Sequence, residues 1–239
     1  MRALVLIPAY NEQGNILNTL ADLQAHCPEM DVLVINDCSR DRTQEILAEN
    51  GVNHLNLTTN LGIGGAVQAG YQYARAKGYE IAVQFDGDGQ HEAAYLAELI
   101  RPIEEDEADI AIGSRFIAKE GFQSSRARRM GINMLSSLIR MLSGVEVADV
   151  TSGMRAVNRK FIEAYAENYA QDYPEPEAIL YAGLCGARIR EVAVQMRERE
   201  SGTSSISAFR SAYYMIKVSL ALILGRISMD NKIRGRAKK

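Results

Sequence analysis

Tryptophan is missing from this 239-residue chain, histidine occurs three times and proline five times. So few histidines argue against a zinc centre built on imidazoles. The three cysteines, Cys27, Cys38 and Cys185, are odd in number and show no C-x-x-C spacing. That excludes a disulfide-held scaffold and suits a reducing cytosol. No run of 18 uncharged apolar residues occurs, so no membrane-spanning helix is predicted. Charge of neither sign dominates: 27 basic residues stand against 30 acidic ones, a net charge of −3, which argues against a general nucleic-acid binder. The opening MRALVLIPAYNE has a short apolar run that meets Pro8 and has no small-residue cleavage site. It reads as a buried first strand and not as a signal peptide.

What is present is ordinary globular material, 47% apolar and 24% charged, enough for a substantial core. Strand patterns at Leu4–Pro8, Val32–Ile35, Val52–Leu57, Ile81–Phe85 and Ile110–Ile112 alternate with helical patterns at Asn15–Ala25, from Thr43, at Ala66–Lys77 and at Tyr95–Glu105. Such alternation predicts βαβ units, hence an α/β fold with a mostly parallel sheet covered by helices on both faces. Further on, helices are predicted at Arg126–Leu142, Arg159–Asn168, Glu177–Leu184 and Ser207 to about Met229, with strands at Val147–Val157 and Ala187–Met196. No repeat and no Pro- or Ser-rich linker divides the chain, so one domain is expected.

In an open parallel sheet, ligands bind beyond the C-terminal strand ends. Four such ends carry polar residues: Pro8 to Glu12, Asn36 to Asp41, Asp86 to His91, and Gly113 to Arg115. The strongest is Asp86-Gly-Asp-Gly-Gln-His91. Two carboxylates two residues apart can present oxygens to one hard divalent cation, as Mg²⁺ and Mn²⁺ prefer. The plain alternative is a solvated Asp/Gly turn. An EF-hand is excluded, because its twelfth position would be Ala97 and not Glu. His91 adjoins the pair and is read either as a ligand or as packing. The stretch Asn60–Gly70 fails the G-x-G-x-x-G spacing at Val67 and is read as close packing at a helix start. Basic residues gather in the second half at Arg115, Lys119, Arg126, Arg128, Arg129, Arg140 and Arg155. Some of them could hold a diphosphate; Arg128 and Arg140 are read as solvated surface.

Taken in order, Ile7-Pro-Ala-Tyr-Asn-Glu12, Val34-Ile-Asn-Asp-Cys-Ser39 with Asp41 and Thr43, the Asp86–His91 run, Gly113-Ser-Arg-Phe116 and Asp149-Val-Thr-Ser-Gly-Met-Arg155 form a known pattern. The chain resembles the family 2 glycosyltransferases of the GT-A fold, and within them the polyprenyl-phosphate branch typified by dolichol-phosphate mannose synthases. The resemblance spans roughly Arg2 to Ser205. It implies a GT-A catalytic domain over residues 1–205, followed by a C-terminal helix and basic tail over 206–239. It assigns nucleotide-sugar binding to Pro8, Ala9, Tyr10, Glu12, Asp37, Asp86, Gly87 and Asp88, with Asp37 facing the base and Asn36 standing where many relatives have Asp. It makes Asp86 and Asp88, supported by Gln90, the ligands of Mg²⁺ or Mn²⁺. It places Arg115, Arg126 or Arg129, and Ser204 near acceptor or donor phosphates. It adds Arg199, with Gly202 and Ser204, as a late element closing over the site, so that Asp86, Asp88, Arg115 and Arg199 carry the catalysis. Three departures stand out: Ile63 replaces a common Lys, Ser205 replaces another, and prolines flank Glu175 and Glu177, either of which could take a carboxylate role.

The implied reaction is inverting transfer of a sugar from a nucleoside diphosphate to an acceptor. No base motif of the saccharide-accepting relatives follows Arg115, which favours a lipid phosphate, already ionised and needing no base. A glycan hydroxyl acceptor, and a non-catalytic subunit of a cell-envelope assembly complex, are the competing readings. Ala212–Ser228 is apolar, and Arg226–Lys239 carries six basic residues against one acid. That combination suits either an anionic membrane surface at the inner face of the cell membrane or a small membrane-protein partner. Homo-oligomerisation is left open.

Overall fold

The computed structural model describes residues 1–118, 126–197 and 208–236. Among these residues, seven strands form one sheet in the order β3-β2-β1-β4-β6-β5-β7. They are β1 (Ala3–Ala9), β2 (Asp31–Asn36), β3 (His54–Asn56), β4 (Ile81–Gln84), β5 (Ile110–Ser114), β6 (Arg155–Asn158) and β7 (Ile189–Ala193). Four neighbouring pairs are parallel; β6 runs antiparallel between β4 and β5. This is the mostly parallel α/β sheet that the alternating pattern predicts.

Alternate residues of β1 point to opposite faces and feed two cores. Leu4 and Leu6 join α3 (Gly62–Lys77), α6 (Arg126–Ser143), α7 (Arg159–Glu167), α8 (Pro174–Leu184) and α9 (Ala208–Arg236) on one side. Val5 and Ile7 join α1 (Ile16–His26), α2 (Thr43–Glu49) and α4 (Leu96–Glu104) on the other. A short α5 (Arg115–Ala118) follows β5 directly. Val218 and Leu222 bring α9 into the first core.

Helix α9 runs on to Arg236, past the expected end near Met229. Three other predicted elements differ from what is observed, each for a local reason. Val147–Val157 is not one strand: Asp149 to Gly153 form a turn built on side-chain hydrogen bonds, and pairing starts only at Arg155. Helix α8 starts at Pro174, not Glu177, because both prolines fall in the first turn, where amides have no intrahelical acceptor. Helix α3 starts at Gly62, inside the glycine-rich stretch. A Cβ on Gly64 would collide with the backbone of Ala170 and Gln171, which is the close packing expected there.

Asp109 locks the far edge of the sheet. Its carboxylate accepts from the Arg188 amide (2.9 Å) and from Asn158 Nδ2 (2.9 Å), joining the starts of β5 and β7 to the end of β6. Burial alone would raise this carboxyl, but the Arg188 amide and guanidinium and the Asn158 amide outweigh burial and hold it below the ordinary value. A depressed native value means stability that is present above the unfolded-state pKa of about 4 and lost as pH falls through the native value. Asp109→Asn is therefore expected to cost about 1–3 kcal/mol in urea unfolding at pH 7, the gap to the parent closing as the medium is acidified below pH 4.

Candidate active site

The sheet topology brings five chain segments to one rim. β1, β2, β4 and β5 end there, and β6, running the other way, begins there. Gln84 pairs in register with Arg155, so the 149–154 turn lies beside the loop that leaves β4.

On the β1/β2 side, side chains stitch two loops together. Asn11 Oδ1 accepts from the Arg40 amide, Ser39 Oγ from the Asn11 amide, and Thr43 Oγ1 from the Glu12 amide. Asn11 and Cys38 both adopt positive φ, near +59° and +58°. The Asp41 carboxylate accepts from the Thr43 amide at the start of α2 and from the Gln13 amide. Asp37 is buried, and its Oδ1 accepts from the Leu61 amide at 2.7 Å, fastening the entry of α3. Its own amide donates to the Ala9 carbonyl at 2.9 Å. Tyr10 stays exposed above this rim, Pro8 is half-buried, and the Glu12 carboxylate accepts from Asn15 Nδ2. Asn36 faces sideways, donating to Asn56 Oδ1.

On the β4 side, Asp86 is gripped from two directions. His91, fully buried against Phe85, bonds Asp86 Oδ2 through Nε2 at 3.0 Å. Gly153 closes the other side, where a Cβ would collide with the Asp86 carboxylate. Burial would raise Asp86, but the His91 bond and the positive field of His91 and Arg155 outweigh it and hold the carboxyl below its ordinary value. Asp86 Oδ1 is sealed from solvent without a hydrogen-bond partner among the described residues. Asp88 Oδ1 accepts from the Gln90 amide at 3.1 Å. Asp88 also borders a cavity of about 240 Å³ shared with Asn18, Thr19, His91 and Arg197. Among the described residues, no group of three or more His, Cys, Asp or Glu side chains could by itself hold a metal ion. Two hard carboxylates, one with an unpartnered oxygen, fit a Mg²⁺ or Mn²⁺ ion that takes its remaining ligands from substrate oxygens and water.

Two further segments meet this loop. Met196 pairs with His91, and the Arg197 amide donates to the Gln90 carbonyl at 2.9 Å. Arg197 also reaches Glu92 (3.5 Å) and Asp22 (3.9 Å). The start of α8 brings Glu175 into electrostatic contact with Asp86 and Arg155. Burial raises its carboxyl, against the lowering field of Arg155. Glu177 instead lines a groove between α8 and α9. The structure thus separates two carboxylates that the sequence leaves interchangeable.

The arginines divide. Arg115 is buried, and its Nε and Nη2 fork onto Asp149 at 2.7 and 2.6 Å, with Thr151 Oγ1 at 3.0 Å. Its guanidinium shapes the rim through that carboxylate. Arg129 on α6 lies over the Phe116 ring at 3.4 Å. The side chain of Arg126 and the whole of Arg199, Gly202, Ser204 and Ser205 lie outside the described residues. Sequence reasoning missed the work of Gly153, Arg155, Gln84 and Arg197. The only available signal was the position of the first two inside the Asp149–Arg155 motif.

The chain is similar to several known proteins. Residues 4–166 match the family model described as glycosyl transferase family 2. A polyprenol monophosphomannose synthase of Mycolicibacterium smegmatis is 29% identical over 245 residues, covering 95% of this chain and 89% of that protein. An undecaprenyl-phosphate mannosyltransferase of Micrococcus luteus is 33% identical over 221 residues, covering 87% and 88%. Among solved structures, the glucosyl-3-phosphoglycerate synthase of Mycobacterium tuberculosis, in complex with Mn²⁺, UDP-glucose and phosphoglyceric acid, superposes with a TM-score of 0.71. It is 18% identical and covers 94% of this chain and 79% of that one. That likeness shows a shared GT-A-type fold.

Removing Arg115 alone would leave Asp149 charged, buried and unpaired. Arg115→Met is expected to destabilise the protein by about 3–5 kcal/mol in urea unfolding, and Arg115→Met with Asp149→Leu by markedly less.

Proposed function

From the premise that the chain belongs to glycosyl transferase family 2, and is therefore a glycosyltransferase, we propose that it moves a sugar from a nucleoside diphosphate sugar to a polyprenyl phosphate, with inversion and with a divalent cation. The observation that carries this reading is the β4 loop, where Asp86 is oriented by His91 and Gly153 with Asp88 two residues on. Support for the acceptor comes from the printed names of the M. smegmatis and M. luteus relatives. A bound Mg²⁺ or Mn²⁺ would supply charge neutralisation at the departing diphosphate.

This chain's own residues do the rest. Asp86 and Asp88 would hold the cation, with Gln90 of the same loop as a supporting ligand. The rim of Pro8, Ala9, Tyr10, Glu12 and Asp37 receives the nucleoside. An acceptor phosphate oxygen attacks the anomeric carbon as the bond to the diphosphate breaks, so no proton has to be removed. Arg129, Arg126, Arg199 and Ser204 are the groups proposed to meet phosphates, and Arg115 orders that side through Asp149. A glycan hydroxyl acceptor is the second reading, favoured by one observation: Glu175, a carboxylate that could serve as the base, is in electrostatic contact with Asp86.

The acceptor itself is proposed to be reached at a membrane surface. Among the described residues no helix is long and apolar enough to cross a membrane. Yet α9 is apolar on two sides. Val218 and Leu222 face the core, while Tyr213, Ile216, Leu220, Leu224 and Ile227 are exposed along one stripe. Met130, Met134 and Met141 are exposed on the neighbouring α6. Such a face, followed by the basic tail, suits an anionic bilayer surface at the cytoplasmic side of the cell membrane.

Two experiments test these proposals. In a screen of nucleoside diphosphate sugars with Mn²⁺ or Mg²⁺, one donor should yield an acid-labile, solvent-extractable lipid product. Asp86→Asn and Asp88→Asn should each slow it roughly a hundredfold or more. A water-soluble, acid-stable product would decide for the hydroxyl acceptor. In flotation with anionic vesicles, Leu220→Glu combined with Leu224→Glu should lower the bound fraction about tenfold or more. Equal flotation of parent and variant would remove the α9 face from the account.

A further inference from the structure

Behind the Asp86 carboxylate sits a buried cation with no role in the reaction as proposed. Arg155 opens β6, is 1% exposed, and makes no ion pair among the described residues. Arg115, the other arginine buried on this rim, has Asp149 as its counter-ion. Arg155 instead donates to two main-chain carbonyls: Nη2 to Ser152 at 2.7 Å and Nη1 to Glu175 at 3.2 Å. Its Nε has no partner among the described residues.

Its surroundings connect it to the site. Tyr71, Tyr165 and Tyr169 form a triangle of rings with centroids 5.1–5.4 Å apart, and all three interact electrostatically with Arg155. Tyr169 donates to Gln84 Oε1 at 3.2 Å. Gln84 is the residue paired with Arg155 across β4 and β6, and it lies against Asp86 and Glu175. One guanidinium therefore bridges the 149–154 turn and the first turn of α8, while the backbone of the same residue pairs with Gln84 at the end of β4. A planar fork can bridge two carbonyls in this way, whereas a lysine ammonium is a single point charge on a flexible stem. A buried guanidinium is costly unless its surroundings compensate it, and here the compensation is two carbonyls and the nearby charges of Asp86 and Glu175.

We propose that Arg155 is a positioning residue for the cation–diphosphate site: by bridging the Ser152 and Glu175 carbonyls it holds Gly153 and the start of α8 against Asp86 and offsets the two carboxylates from behind. Gly153 confines the Asp86 carboxylate, so a turn that drifts away releases it. The inference rests on the reading of Asp86 as a cation ligand, and its test separates the two.

The test uses the full chain and Arg155→Lys, which keeps the charge and removes the bridge. Free Mn²⁺ is measured by electron paramagnetic resonance in titrations of protein with Mn²⁺ and UDP, beside circular dichroism and thermal unfolding. The expected result is a folded variant whose Mn²⁺ affinity in the presence of UDP is weakened about threefold to tenfold. With transfer assayed, the Mn²⁺ concentration for half-maximal rate should rise by a similar factor, while KM for the lipid acceptor stays as in the parent. A folded variant with parental Mn²⁺ affinity would overturn the positioning role and leave the proposed function standing. A variant that does not fold would also overturn it, by making Arg155 a residue of the fold alone. A parent chain that binds no Mn²⁺ with UDP would overturn the cation reading, and this inference with it.

Discussion

The pairing of β6 with both β4 and β5, in the direction opposite to theirs, is the constraint on which the site depends. In an all-parallel sheet every strand would bring its C-terminal end to the rim and hide its N-terminal end at the far side. Reversing one central strand puts a strand start among strand ends. The turn that leads into β6 can then touch the β4 loop directly. Gly153 against Asp86, Asp149 against Arg115, and Arg155 opposite Gln84 all follow from that one register.

The same register explains how two arginines can be buried on one rim. Burying a guanidinium is unfavourable unless every part of its charge is answered. Arg115 is answered by a bidentate carboxylate, an arrangement with strict geometry. Arg155 is answered by main-chain carbonyls and more distant charges. The first arrangement neutralises itself. The second leaves positive potential directed at Asp86 and Glu175, where it adds to the larger effect of His91 in holding the Asp86 carboxyl down against burial.

Much of the architecture was legible because periodicity is a local property. The apolar runs around Leu6, Leu33, Val83 and Ala111 marked strands, and Asp86 and Asp88 were visible as a pair at one strand end. What escaped was non-local. Nothing in Val147–Val157 signals a reversed strand, because strand direction is decided by pairing and not by composition. The two prolines near Glu175 read as interruptions, although the first turn of a helix accommodates them. Glu175 and Glu177 could not be told apart without knowing which face of α8 meets the sheet. Arg115 was assigned to phosphate by its motif, and only the three-dimensional arrangement shows Asp149 occupying its fork. Gln84 looked like any polar residue at a strand end, yet it is fully buried and linked to Tyr169.

The stitched loops after β1 and β2 bear on the thermodynamics of recognition. Asn11, Ser39, Asp41 and Thr43 already satisfy the main-chain amides around them, and the two left-handed residues are fixed within that lattice. A ligand arriving at this rim meets a surface whose conformational entropy was surrendered during folding. Ordering of the loops therefore subtracts little from its affinity. Discrimination by these two loops would be set by shape and hydrogen-bond complementarity to a contour that their own hydrogen bonds hold in place.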